Sequence, residues 1–247
     1  MVDVETRRVR DRGRPRSGTT LRPDLSAPEQ ILDAAAQLFV EGGYSATSTR
    51  AIADQVGIRQ ASLYYHFPSK EHILEALLMR TVSPSIGAAR SLQQADADSP
   101  ARLWALIAYD ATQLFQAPHN VGTLYLLPEI RNERFEPFRR ERKALRDIYA
   151  ALIAASIATS VRVDLGPTRG SAEQSSLDYL VDVVFGMVES AIAIRADRAG
   201  DDANTLVTTI AQSCLRVLGH TDDPLRTISA DGRRILAELT VAQDAAR

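Results

Sequence analysis

Thiols, lysines, tryptophan and long apolar runs are scarce in this chain of 247 residues, and each shortage removes a class of function. A single cysteine, Cys214, admits no intrachain disulfide and no thiolate set for structural zinc. The four histidines, His66, His72, His119 and His220, are scattered without the His-Glu spacing of a metal site. Neither a nucleophile elbow nor a phosphate-binding glycine loop occurs, so no cofactor or metal is expected and an enzyme is disfavoured. The longest apolar stretches, Tyr179 to Ile194 and Ala150 to Ala158, are cut by Asp182 and Glu189 or fall far short of the ~20 residues of a spanning helix. No membrane partner is expected. The arginine-rich start is not followed by the apolar run of a secretory signal, so the expected location is the cytoplasm.

What is present suffices for a core. Hydrophobic residues make up 45% and charged residues 24%, ordinary globular usage that argues against collagen or wholesale disorder. The length admits one large or two small domains. Net charge is −2, but it is unevenly spread. Residues 1–22 carry seven arginines against Asp3, Glu5 and Asp11, so this segment is +4 and the remainder −6. A basic arm on an acidic body suits a protein that touches phosphate backbones. An arginine-rich genome is the plain alternative, since only Lys70 and Lys143 among the 29 basic residues are lysines. With almost no apolar residues, the segment cannot bury enough surface to fold alone, and residues 1–26 are expected to form a flexible arm. Within it, Arg12-Gly13-Arg14-Pro15-Arg16 is similar to the core of an AT-hook. Two uses are open for Arg12, Arg14 and Arg16: insertion into a narrow minor groove, or general attraction to phosphates.

Beyond the arm the apolar spacing is helical almost throughout, and alternation at period two is absent, so an all-α fold is expected. Pro28 opens a stretch with Ile31, Leu32, Ala35, Leu38 and Phe39 on one face, ended by Gly42-Gly43. Short segments follow at Thr49 to Val56, stopping at Gly57, and at Gln60 to His66. Ser69 can cap a fourth helix over 70–82. Later helices are expected near 100–116, 121–128, 134–160, 172–197 and 202–218, with a loop at Asp164-Leu165-Gly166-Pro167 and one more helix within 219–247. The expected organisation is an arm (1–26), a small helical domain (27–82), a larger helical domain (83–218) and a C-terminal extension (219–247).

Residues 48–67 have the spacing of a helix-turn-helix. Gly57 permits the turn, while Ile52, Val56, Ile58 and Leu63 can seal the angle against Leu38 and Phe39. The second helix would then present Arg59, Gln60, Ser62, Tyr64, Tyr65 and His66, donors and rings that suit a major groove. The run from Gly43 to Ala53, then Val56-Gly57-Ile58, then Leu63-Tyr64-Tyr65-His66-Phe67-Pro68-Ser69-Lys70-Glu71, resembles the DNA-binding domain of the TetR family of bacterial transcription regulators over about residues 27–82. Ala61 departs from the glycine frequent there. The resemblance implies phosphate or sugar contacts from Thr49, Tyr64, Tyr65, His66 and Lys70, and leaves Arg59, Gln60 and Ser62 for base readout. Internal packing is the alternative for Tyr64 and His66.

The helices near 172–197 and 202–218 each carry two apolar stripes. Leu177, Val181, Val184, Val188 and Ala191 form one, and Leu180, Val183, Met187 and Ile194 another; Ile210, Cys214 and Val217 lie on one side of the second helix. One stripe can face the chain's own core and the other a partner. The resemblance implies a homodimer through these two helices, with Val181, Val184, Val188, Ile210, Cys214 and Val217 as candidate interface residues. A saturated internal bundle is the alternative. It also implies a cavity for a small apolar or aromatic effector, with Trp104, Tyr109, Phe115, His119, Tyr125 and Met187 as candidate walls and helix 70–82 as the lever. The expected protein is a ligand-responsive regulator, more readily a repressor, on a near-palindromic DNA operator. A transcriptional activator and an architectural or ligand-independent DNA-binding protein that relies on its arm are the competing readings.

Overall fold

A computed structural model describes residues 25–160, 171–198, 200 and 202–245. The arm arginines Arg12, Arg14 and Arg16 and the Asp164 to Pro167 loop lie outside the described residues. Every regular element described is helical: α1 (Ala27–Gly42), α2 (Thr49–Val56), α3 (Gln60–His66), α4 (Lys70–Gln94), α5 (Ser99–Gln116), α6 (Glu136–Ile157), α7 (Ser171–Asp197), α8 (Ala203–Val217) and α9 (Asp222–Ala245). Residues 121–135, expected as part helix, instead form three 3-10 turns, Val121–Leu126, Pro128–Arg131 and Glu133–Phe135.

Local chemistry sets the ends of the head helices. Ser26 and Glu29 form a reciprocal capping box at the start of α1, with Ser26 N–H donating to Glu29 Oε2 at 2.9 Å. Ser48 accepts from Ala51 N–H at 3.1 Å to start α2, and Gly57 ends it in the left-handed region at φ 79°. Ile31, Phe39, Ile52 and Leu63 are fully covered, so α1, α2 and α3 close on one apolar core. The longest departure is α4. The sequence suggests an end at residue 82, yet the helix continues through Pro84 to Gln94. Pro84 has no N–H to give the carbonyl one turn back, so the helix is weakened there but held by its buried face of Val82, Ile86, Ala89 and Leu92.

The larger domain is built around α5, which touches α4, α6, α7, α8 and α9. Its sequence explains this place. From Leu103 to Ala111 every residue is buried, and a helix apolar on all sides must be covered on all sides. The C-terminal helix α9 supplies one of those covers. Gly232 sits so close to Trp104 that a Cβ there would lie 2.5 Å from the indole, and Ile235 and Leu239 complete the seam. The expected helix in 219–247 is therefore an integral part of the bundle.

The stripes of α7 and α8 are real, but the candidate interface set falls mostly on the inner one. Val181, Val184, Val188, Ile210 and Cys214 are buried in the chain's own core, and of that set only Val217 faces out, at 42% exposure. The reason is the demand of α5 for cover, which period alone does not reveal. The outward side of α7 carries Tyr179 and Val183, at 72% and 47% exposure, beside half-buried Leu180 and Met187.

Candidate nucleic-acid interface

Helix α3 hangs on one residue. Leu63 is wholly buried, while Arg59, Gln60, Ser62, Tyr64 and Tyr65 are exposed and His66 is half-buried. A seven-residue helix with a single buried anchor offers nearly all of its surface to a partner. Tyr65 is 86% exposed, an unusual position for a large ring, and its edge rests on His66 at 5.2 Å between ring centres. A polar triad fixes α3 against α2. The hydroxyls of Thr49 and Tyr64 share a hydrogen bond at 3.0 Å, and Gln60 Nε2 donates to Thr49 Oγ1 at 3.0 Å. Tyr64 is thus bonded within the domain and still nearly half exposed.

Lys70 is held differently from the free phosphate clamp that the resemblance suggests. Its ammonium donates to the carbonyls of Tyr44 and Thr47 at 2.9 and 3.0 Å and lies 4.2 Å from the centre of the Tyr44 ring. It pins the start of α4 to the loop between α1 and α2, with one N–H left for a phosphate. Tyr44 and Thr47 were not singled out from sequence. Thr47 Oγ1 donates back to Leu38 and Gly43 carbonyls, a loop closure for which a lone threonine gives no advance signal.

The six candidate walls of an effector cavity separate. His119 lines an open cleft of about 410 Å³ between α1, α4 and the end of α5, where its Nε2 meets Asp33 Oδ1 at 3.0 Å. Tyr125 lines a second, smaller cavity between α4, α5, α6 and α7. Trp104, Tyr109 and Phe115 line neither of these two cavities and are buried in the core, and half-buried Met187 lines neither. Trp104 is covered by Gly232, and the Tyr109 hydroxyl donates to Gln243 of α9 at 3.3 Å, so the extension fills that flank with protein.

Sequence reasoning missed the polar heart of the larger domain. Asp110 is buried; its Oδ2 accepts from the Tyr149 hydroxyl at 2.7 Å, and its Oδ1 has no hydrogen-bond partner. Burial pushes its carboxyl up to about 6, against the opposing pull of the Ser85 and Tyr149 hydroxyls. Arg142 forms an ion pair with Glu189, and the Tyr125 hydroxyl donates to Thr81 Oγ1 at 2.5 Å. The only sequence signal was one acidic residue inside Leu106-Ile107-Ala108-Tyr109-Asp110-Ala111.

A small helical head with an exposed second helix, joined through one long helix to an all-helical body, defines the helix-turn-helix class of DNA-binding proteins. The sequence pattern described as "Bacterial regulatory proteins, tetR family" matches residues 31–77. The crystal structure of Mycobacterium smegmatis AmtR superposes with a TM-score of 0.76 at 44% sequence identity, covering 87% of this chain and 97% of that one. The transcriptional repressor KstR2 of Rhodococcus jostii (strain RHA1) is 29% identical over 194 residues, 76% of this chain and 87% of that protein. KstR2 of Mycobacterium tuberculosis shares the fold at a TM-score of 0.66 and 23% identity, over 79% of this chain and 96% of that one. The chain belongs to the TetR family of bacterial transcription regulators, a family without enzymatic activity. No helix among the described residues is long and apolar enough to cross a membrane.

Proposed function

We propose that this regulator is a cytoplasmic, homodimeric repressor that binds a near-palindromic operator and leaves it when a small molecule enters the larger domain. The observation that carries the DNA contact is α3: one buried leucine, and around it Arg59, Gln60, Ser62 and Tyr65 turned outward. Arg59, Gln60 and Ser62 read base edges, arginine suiting guanine and glutamine adenine once the Gln60 amide exchanges Thr49 for the base. Thr49, Tyr64, Tyr65, His66 and the remaining N–H of Lys70 hold the flanking backbone. In a two-fold dimer the two α3 helices meet successive major grooves about 34–36 Å apart. The dimer surface is the outward face of α7 and α8, with Tyr179, Val183 and Val217, rather than the buried valines of the inner stripe. Arg12, Arg14 and Arg16 add attraction to phosphates or the neighbouring minor groove, supported by their sequence alone.

A mobility-shift titration on the DNA upstream of the protein's own gene tests this at moderate salt. Wild type should give one discrete complex. Tyr65→Ala should weaken it by about tenfold or more, in line with the 1–3 kcal/mol typical of a good contact. Because Tyr65 is almost free of internal contacts, that loss reports the DNA contact and not misfolding. Removal of residues 1–22 should reduce affinity and flatten its salt dependence. Salt-sensitive smearing that ignores Tyr65→Ala would overturn the operator-binding reading.

A further inference from the structure

The small cavity beside Asp110 has a volume of about 30 Å³, room for a water molecule or two and far too little for a whole effector. Its walls are unusually polar for a helical bundle, running from buried Asp110 and Ser85 to the partly exposed Arg142 and Glu189. The carboxylate of Asp110, the hydroxyls of Ser85 and Thr81, and the Arg142–Glu189 pair all converge between α4, α5, α6 and α7. Tyr125 and Phe185 add aromatic surface, and the Arg142 guanidinium stands 5.5 and 5.2 Å from their ring centres.

The charges do not balance. Arg142 is committed to Glu189, so it neutralises one acid of the two. Asp110 receives only hydroxyl hydrogen bonds, and Oδ1 receives none at hydrogen-bond geometry. A buried carboxylate with an empty lone pair needs a donor, and when it is ionised away from water a positive charge beside it offsets the lost hydration. A water molecule meets the first need only. A primary ammonium group, about the size of water, meets both and gains from aromatic neighbours.

Resting on the reading of the chain as an effector-controlled repressor, we propose that this cavity is the polar end of the effector site and that the effector presents a primary ammonium group to Asp110 Oδ1. The rest of such a molecule is larger than the cavity and must part α4 from α6 and α7. Thr81 and Ser85 lie on α4 either side of Pro84, where the helix lacks a hydrogen bond, and the start of α4 is fastened by Lys70 to the head loop. Displacement at the cavity therefore moves the head. The ligand favours release to the extent that it binds the parted state better.

The test uses the full chain with propylammonium and benzylammonium ions, against propanol and benzyl alcohol as neutral counterparts. Thermal unfolding and operator mobility shift are followed together. The ammonium ions should raise the unfolding midpoint of wild type and release operator, the alcohols should do neither, and Asp110→Asn should lower apparent ammonium affinity by about tenfold or more. Asparagine keeps the shape and the acceptor for Tyr149. Should that variant not fold, the pH dependence of wild type serves instead: affinity falls below about 6 as Asp110 is protonated. The other charged or titratable groups facing the cavity are Arg142 of α6, Glu189 of α7 and Tyr125, and Tyr149 of α6 bonds Asp110 from outside it. Equal response to the alcohols, undiminished response in Asp110→Asn, or no response of wild type to ammonium at tens of millimolar overturns the proposal. Asp110-dependent stabilisation without change in operator affinity keeps the ammonium site and overturns the effector-controlled reading on which it rests.

Discussion

The head and the body of this regulator handle polar groups in opposite ways. In the head the core is apolar, and the polar side chains of α3 stand at the surface, tied by a few neutral hydrogen bonds such as Thr49–Tyr64. In the body the most deeply buried helix carries Asp110, and an ion pair and two tyrosine hydroxyls are folded in around it. Exposed donors cost the fold little and remain available to a partner. A buried carboxylate costs stability whenever it is ionised, and such a cost is characteristic of functional sites. The head therefore offers a preformed polar surface, and the body is a bundle with a built-in point of weakness.

The strongest way to break this contrast is to open the head's core. Leu63→Ala should destabilise the head by about 2–5 kcal/mol, because it removes the only buried side chain of α3. Operator binding should disappear in a mobility shift, while far-ultraviolet circular dichroism retains most of the helical signal. An undiminished complex would show that α3 does not depend on its anchor.

Next in size is Asp110→Asn, where the sign is reversed. The Asp110 carboxyl stands at about 6 against an ordinary 3.8, so folding disfavours its ionised form. At pH values below the ordinary value both states are protonated and no penalty exists. As pH rises the unfolded chain ionises first, and the penalty grows to a plateau above about 6, worth about 3 kcal/mol. Asp110→Asn should therefore be more stable than wild type at pH 7 to 8, with the difference vanishing below the ordinary value of 3.8, by about pH 3. Denaturant melts at the two pH values measure it directly, and a variant weaker at both would remove the strain assigned to the body.

Gly232→Ala should cost about 1–3 kcal/mol, since its Cβ would meet Trp104 at 2.5 Å and α9 must shift. A thermal melt checks the size, and operator affinity at low temperature should stay near that of wild type. The smallest effect belongs to Gly57→Ala in the head, about 1–2 kcal/mol, from forcing a Cβ into the left-handed region at φ 79°. Its neighbourhood is open, so no clash adds to the backbone strain.

Legibility followed the same divide. The head could be read because its determinants are local: Ser48 at a cap, Gly57 at a turn, and Leu63 three residues into a short helix. What those readings did not contain was Lys70 turned back onto the carbonyls of Tyr44 and Thr47, contacts across 26 and 23 residues. In the body, periodicity located two stripes on α7 and could not rank them, because both have the same spacing. Trp104 and Tyr109 were candidate cavity walls by size and resemblance, and the contact each makes with α9 had no signal in the sequence.

By itself, the sequence determined the all-helical class, the helix-turn-helix and the family, since caps, turns and apolar period act over a few residues. Tertiary structure alone decided which valines face inward, that α4 continues past Pro84, and that Asp110, bonded to Tyr149, shares one cavity with the Arg142–Glu189 pair. Those outcomes depend on which helices cover α5, and burial is a property of neighbours brought from distant parts of the chain.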